Sequence, residues 1–216
     1  MLAIGLPSGF EFGMMAVYLG VVYSITRPFG AAAQAGFGIG QRIVQAGFLP
    51  VVALGFAVAP VAGQNFGARL PQRVKATFKD ASLMAAGVMV LFALASHIAA
   101  AALVGIFTND PAVVAVGEEY LRIVSWNYVA SGLVFVASSM FQAMGNTIPS
   151  LVASAVRILL IILPAIALSR APGFQLRTIW YLSVGAVFVQ LAIAMYLLSR
   201  EFGRRLAFEV PQAKAA

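Results

Sequence analysis

Between Asp80 and Asp110 the chain reads ASLMAAGVMVLFALASHIAAAALVGIFTN (residues 81–109), with no charged side chain apart from the neutral His97. A bilayer core is crossed by about 20 apolar residues in helical form. A soluble domain leaves too much of its surface in water to hide such a run and others like it. The stretch predicts a transmembrane helix over 81–107, and its neighbours are read outward from there.

The rest of the chain has the same character. Of 216 residues, 62% are hydrophobic and 10% charged, with a mean hydropathy of +0.94. Soluble domains average about 45–50% apolar and about 25% charged residues. Charge-poor runs predict five further spans at 2–24, 43–66, 122–144, 148–169 and 179–199, the first carrying Glu11 and the fifth Arg157. Gly67 and Pro71, Asn109-Asp110-Pro111, Gly145-Asn146-Thr147 and Ala171-Pro172-Gly173 punctuate the gaps between them. Hydrocarbon offers no partner to a backbone amide, so each span is a helix that satisfies its own. The expected fold is an all-α membrane protein, a six-helix transmembrane bundle over 1–206 with a tail at 207–216.

The net charge of +7 is placed by topology. Arg69, Arg73, Lys75 and Lys79 follow the second span, and Arg200, Arg204, Arg205 and Lys214 follow the sixth. Six crossings put both groups on one side, and the bias of basic residues toward the cytoplasm makes that side internal. The expected location is the cell (inner) membrane, multi-pass, with both termini cytoplasmic. Membrane lipid is then the natural partner of these residues and nucleic acid is not. With no cysteine and one histidine, no disulfide, thiolate or zinc site is expected. Walker and dinucleotide motifs and paired carboxylates are also missing, so neither a cofactor nor an enzymatic activity is expected.

Polar groups inside the spans carry what functional signal there is, because a charge there costs about 2.5–3.5 kcal/mol on insertion scales. Glu11 lies one turn after Pro7, and Met15 and Tyr18 share its helical face. A carboxylate beside soft apolar and aromatic surface suits a proton, Na⁺ or a lipophilic cation; a structural ion pair is the plainer reading. Arg157 is its possible partner, sharing a face with Ser150 and Ser154. Asn127, Ser131, Ser138 and Gln142 make a polar stripe along the fourth span, and Gln34, Gly38, Gln41 and Gln45 another where the second helix begins. Such stripes point into a bundle or a cavity. His97 reads as a packing residue.

Three segments together resemble the multidrug and toxic compound extrusion (MATE) family of secondary transporters. They are Gly5-Leu6-Pro7-Ser8, then Pro60-Val61-Ala62-Gly63-Gln64-Asn65-Phe66-Gly67-Ala68, then Phe141-Gln142-Ala143-Met144-Gly145-Asn146-Thr147-Ile148-Pro149. The resemblance is to the second of the family's two six-helix lobes, helices seven to twelve. It fits a first span that begins right after Met1 without a basic flank, as a helix does that expects more protein before it. By resemblance, the chain is one lobe of a transporter that exports small cationic or lipophilic compounds in exchange for H⁺ or Na⁺. Its partner would be an N-terminal lobe or a second copy of itself. A flippase for lipid-linked oligosaccharides of the same superfamily, or a non-transporting truncated fragment, are the alternatives. Where one subgroup carries a glutamate in the seventh helix, this chain has Met15, with Glu11 one turn earlier; the tenth-helix aspartate has no acidic match.

Overall fold

The computed structural model describes the backbone of residues 2–207, and all its side chains except those of residues 2–8, 11 and 12. Its elements are α1 (Leu2–Thr26), a 3₁₀ turn (Arg27–Phe29), α2 (Ala31–Gly67), α3 (Pro71–Ile98), α4 (Ala100–Gly105) and α5 (Pro111–Val124). A second 3₁₀ turn (Ser125–Asn127), α6 (Tyr128–Ala143), α7 (Ile148–Leu168) and α8 (Arg177–Arg205) complete the chain. No strand occurs among the described residues.

The helices overrun the apolar windows that announce them. α2 has 37 residues and begins at Ala31, ahead of the apolar window at 43–66 and in step with the glutamine stripe that opens it, which at 1.5 Å per residue makes it about 55 Å long. Its first turns hold glycines and glutamines, which lower the hydropathy without stopping a helix. α3 starts at Pro71, ten residues ahead of the predicted span, with proline in the first turn where its missing N–H costs nothing. It breaks at Ala99, and α4 continues for 6 residues. The fourth span is entered at Pro111: Asp110 caps α5 by accepting from the Ala112 amide at 2.9 Å. Among the described residues, α2, α3, the run Pro111–Ala143, α7 and α8 are long and apolar enough to cross a bilayer.

Contacts sort the connections to two opposite ends. At one, a Cβ on Gly63 would sit 3.6 Å from the Ala143 carbonyl oxygen. Phe78 of α3 meets Phe202 of α8 edge-on at 5.9 Å, and Asn146 reaches Glu201. At the other, Phe29 after α1 meets Phe174 after α7 at 6.0 Å. The chain therefore runs up and down, and the basic residues of the α2–α3 connection share an end with those of α8.

The core forms around α2. Phe37 stacks on Trp180 at 5.2 Å, and Tyr120 stands edge-on to both. The Tyr120 hydroxyl donates to Gln41 Oε1 at 2.6 Å. Glycines on α2 make room for this packing: Gly40 lies under the Tyr120 ring, Gly47 under Phe92 and Gly55 under Phe135. A side chain at any of the three would collide with a ring.

Candidate functional site

The intramembrane polar residues converge on one seam, where α7 lies between α1 and α8. Gln190 of α8 is 3% exposed, and its amide donates to Ser154 Oγ at 3.2 Å while its Oε1 accepts from Arg157 at 3.4 Å. The Arg157 guanidinium lies 6.0 Å from the centre of the Tyr18 ring, a cation–π distance. Tyr18 is itself buried, with the Ser183 side chain of α8 close to its hydroxyl. One turn before Ser154, Ser150 shares a 2.8 Å hydrogen bond with Ser138 of α6. The result is a polar seam drawn from four helices. Among the described residues no carboxylate pairs with Arg157, and its Nε is buried without a hydrogen-bond partner.

Several of the predicted site residues meet there and others do not. Tyr18, Ser138, Ser150, Ser154 and Arg157 belong to the seam, while Met15 packs half-buried against the core. Glu11 and Pro7 stand on α1 two turns or more before Tyr18, and their side chains lie outside the described residues. The stripe of the fourth span is unevenly buried. Asn127 sits in the 3₁₀ turn and is buried, Ser131 and Ser138 are half-buried, and Gln142 is exposed. In the α2 stripe, Gln34 donates to the Tyr23 carbonyl at 3.5 Å and Gln41 serves Tyr120, which leaves Gln45 exposed. His97 packs edge-on to Trp126 at 5.9 Å.

The two longer motif segments come together at the basic end. Asn65 donates to the Val61 carbonyl at 2.9 Å, and its own carbonyl accepts from the Leu70 amide at 3.0 Å, closing α2 after Gln64 and Gly67. Gly145 turns the chain after α6 with φ +72°, a conformation open to glycine, and Pro149 opens α7. Asn146 donates to Glu201 Oε1 at 2.9 Å. Arg205 pairs with Glu201 at 2.5 Å and donates to the Met144 carbonyl at 2.6 Å. Sequence reading passed over Gln190, Ser183 and Glu201. A glutamine halfway along an apolar run was the signal for the first; the other two become visible only through their partners.

Comparison with known proteins bears on these features. The structure matches, with a TM-score of 0.87 and 20% identity, a MOP superfamily transporter from Pyrococcus furiosus described for the reversed polarity of its binding pocket. It matches at 0.86 and 20% an outward-facing multidrug resistance MATE family transporter, and at 0.84 and 19% the bent form of the Vibrio cholerae MATE transporter VcmN. Each match covers 94% of this chain and 46% of the other, so the chain spans about half the length of the transporters it resembles. No curated protein matches it in sequence. The MatE family profile matches residues 7–167, from the first motif proline through the α7 segment that carries Arg157. With most of its length, the two longer motifs and the end of the first inside that match, the chain belongs to the MatE family and has the fold of one lobe of its transporters.

Proposed function

We propose that the chain works as the C-terminal lobe of a secondary transporter that exports small cationic or lipophilic compounds in exchange for H⁺ or Na⁺. The observation that carries the reading is the polar seam around Tyr18, Arg157 and Gln190, set inside helices that otherwise present apolar side chains. Polar groups at that depth are costly unless they serve binding or packing. Glu11, on the same face of α1 as Tyr18, supplies the carboxylate at which a coupling ion or substrate cation would exchange. The site is completed by a second lobe, either an N-terminal one or a second copy of this chain. An even number of crossings inserts two copies in one orientation, so a twofold pair imitates a two-lobe carrier. In this reading the protein sits in the inner membrane with both termini cytoplasmic, as the clustering of basic residues at one end favours. The flippase reading stands second, because Arg157 is a single intramembrane cation and a pyrophosphate calls for more.

The test is gradient-driven ethidium efflux from proteoliposomes, comparing wild type with Glu11→Gln. The expected outcome is loss of ion-dependent flux with normal insertion. Unchanged flux in the variant takes Glu11 out of the mechanism. Absence of gradient-dependent flux in wild type counts against the self-paired half-transporter.

A further inference from the structure

Beside the basic end, a groove of about 260 Å³ runs between α2 and α3, with Leu54, Ala57 and Val61 on one wall and Thr77, Asp80 and Met84 on the other. Its one ionisable lining group is the Asp80 carboxylate. Val61 is 48% exposed and Met84 60%, so the groove opens sideways. In a membrane-spanning bundle that opening meets acyl chains.

The helical phase of α3 sorts its charges. Thr77, Asp80 and Met84 follow one another at i, i+3 and i+7, one stripe along the helix. Lys75 and Lys79 lie on the opposite face, since each residue turns the helix by about 100°. Arg73 shares the stripe but stands two turns, about 10 Å, nearer the helix end. Across that distance in salt water it offsets little of the carboxylate's attraction for a cation. Asp80 is exposed and joins neither ion pair of the described residues, Arg122–Glu118 and Arg205–Glu201. It also ends the polar start of α3, for the uninterrupted apolar run begins at Ala81. An unpaired carboxylate thus stands where the groove passes from water into hydrocarbon, with Leu54 and Met84 on the deeper side.

We propose that this groove binds a lipophilic cation, its positive centre beside the Asp80 carboxylate and its apolar body between Leu54, Ala57 and Met84. The low dielectric of the acyl region on one side of the pair strengthens the attraction beyond what open water allows. Met84 brings a flexible, polarizable thioether that adapts to bodies of different outline. The site stands apart from the seam at Arg157 and does not rest on the transport reading.

The test compares two probes of one shape and opposite charge, tetraphenylphosphonium and tetraphenylborate. Each is dialysed to equilibrium against the chain in phosphatidylcholine nanodiscs, with empty nanodiscs subtracted. Glu11→Gln is the background throughout, so that binding is read without the carboxylate assigned above to transport. Tetraphenylphosphonium should bind saturably, and tetraphenylborate about tenfold more weakly or less. Adding Asp80→Asn should weaken the cation about tenfold without weakening the anion, and Asp80→Glu should keep the cation bound. Ala57→Phe, which fills the groove at an exposed position, should abolish saturable binding of the cation. The proposal is overturned by an absence of saturable cation binding or by equal affinity for the two probes. Cation binding that neither Asp80→Asn nor Ala57→Phe reduces overturns it as well.

Discussion

Asn146 and Glu201 lie 55 positions apart in sequence and 2.9 Å apart in space, the amide of the α6–α7 turn donating to a carboxylate only 5% exposed. Arg205 closes the arrangement by holding both Glu201 and the Met144 carbonyl. One side chain of α8 thus fixes the turn from which α7, with Ser150, Ser154 and Arg157, sets out.

Glu201→Ala should therefore lower stability by about 1–3 kcal/mol, the cost of leaving buried partners unsatisfied. Glu201→Gln keeps an acceptor for Asn146 and should lose less. Thermal melts in detergent check the order. Hydrogen exchange at residues 145–147 should rise in Glu201→Ala, and equal protection there would show that the turn holds itself.

Tyr18 offers two separable contributions. Tyr18→Phe removes the hydroxyl that meets Ser183 and should cost about 0.5–1.5 kcal/mol. Tyr18→Leu also removes the ring beneath Arg157, for about 0.5–1 kcal/mol more. If the two variants melt together, the guanidinium–ring contact contributes nothing to folding.

Glycines of the bundle divide by what surrounds them. A Cβ at Gly36 would stand 2.8 Å from the Val113 carbonyl oxygen and 3.0 Å from the Gly117 amide, both backbone atoms that cannot swing aside. Gly36→Ala should cost about 1–3 kcal/mol through overpacking. Gly87 on α3 has nothing within 4 Å, and Gly87→Ala should instead stabilise by up to about 1 kcal/mol through helix propensity. Paired melts of the two variants decide the matter.

The mass of the detergent-solubilised chain, with bound detergent subtracted, tests its self-association. A self-paired transporter should appear near twice 22.7 kDa. A particle of 22.7 kDa would direct the search to a separate partner lobe.

Apolar runs made the helices legible, because exclusion from water acts on each residue in turn and leaves its mark locally. Their ends were less so. α2 and α3 continue past their apolar windows into sequence such as AAAQAGFGIGQ and PQRVKATFKD, which keeps its helical bonds without being hydrophobic. Arg42, next to the start of the apolar window, accordingly lies well inside α2. Tyr18 and Arg157 could be nominated from depth and charge alone. Gln190 and Glu201 could not be placed, since their roles exist only between helices distant in sequence. Along the stripe from Asn127 to Gln142 exposure rises from one end to the other, which depends on the neighbours each residue meets and not on its spacing.

The rings seated over Gly40, Gly47 and Gly55 come from three different elements, α5, α3 and α6. Each fits only where α2 lacks a side chain, and the residues beside those notches include Gln41, Phe48 and Phe56. To slide α2 along its axis by even one residue would drive these bulkier groups into the rings. The helix works as a ward-cut key that three neighbours engage at different heights, so the bundle has no internal gear to shift. α2 is thereby held in one register against α3, α5 and α6.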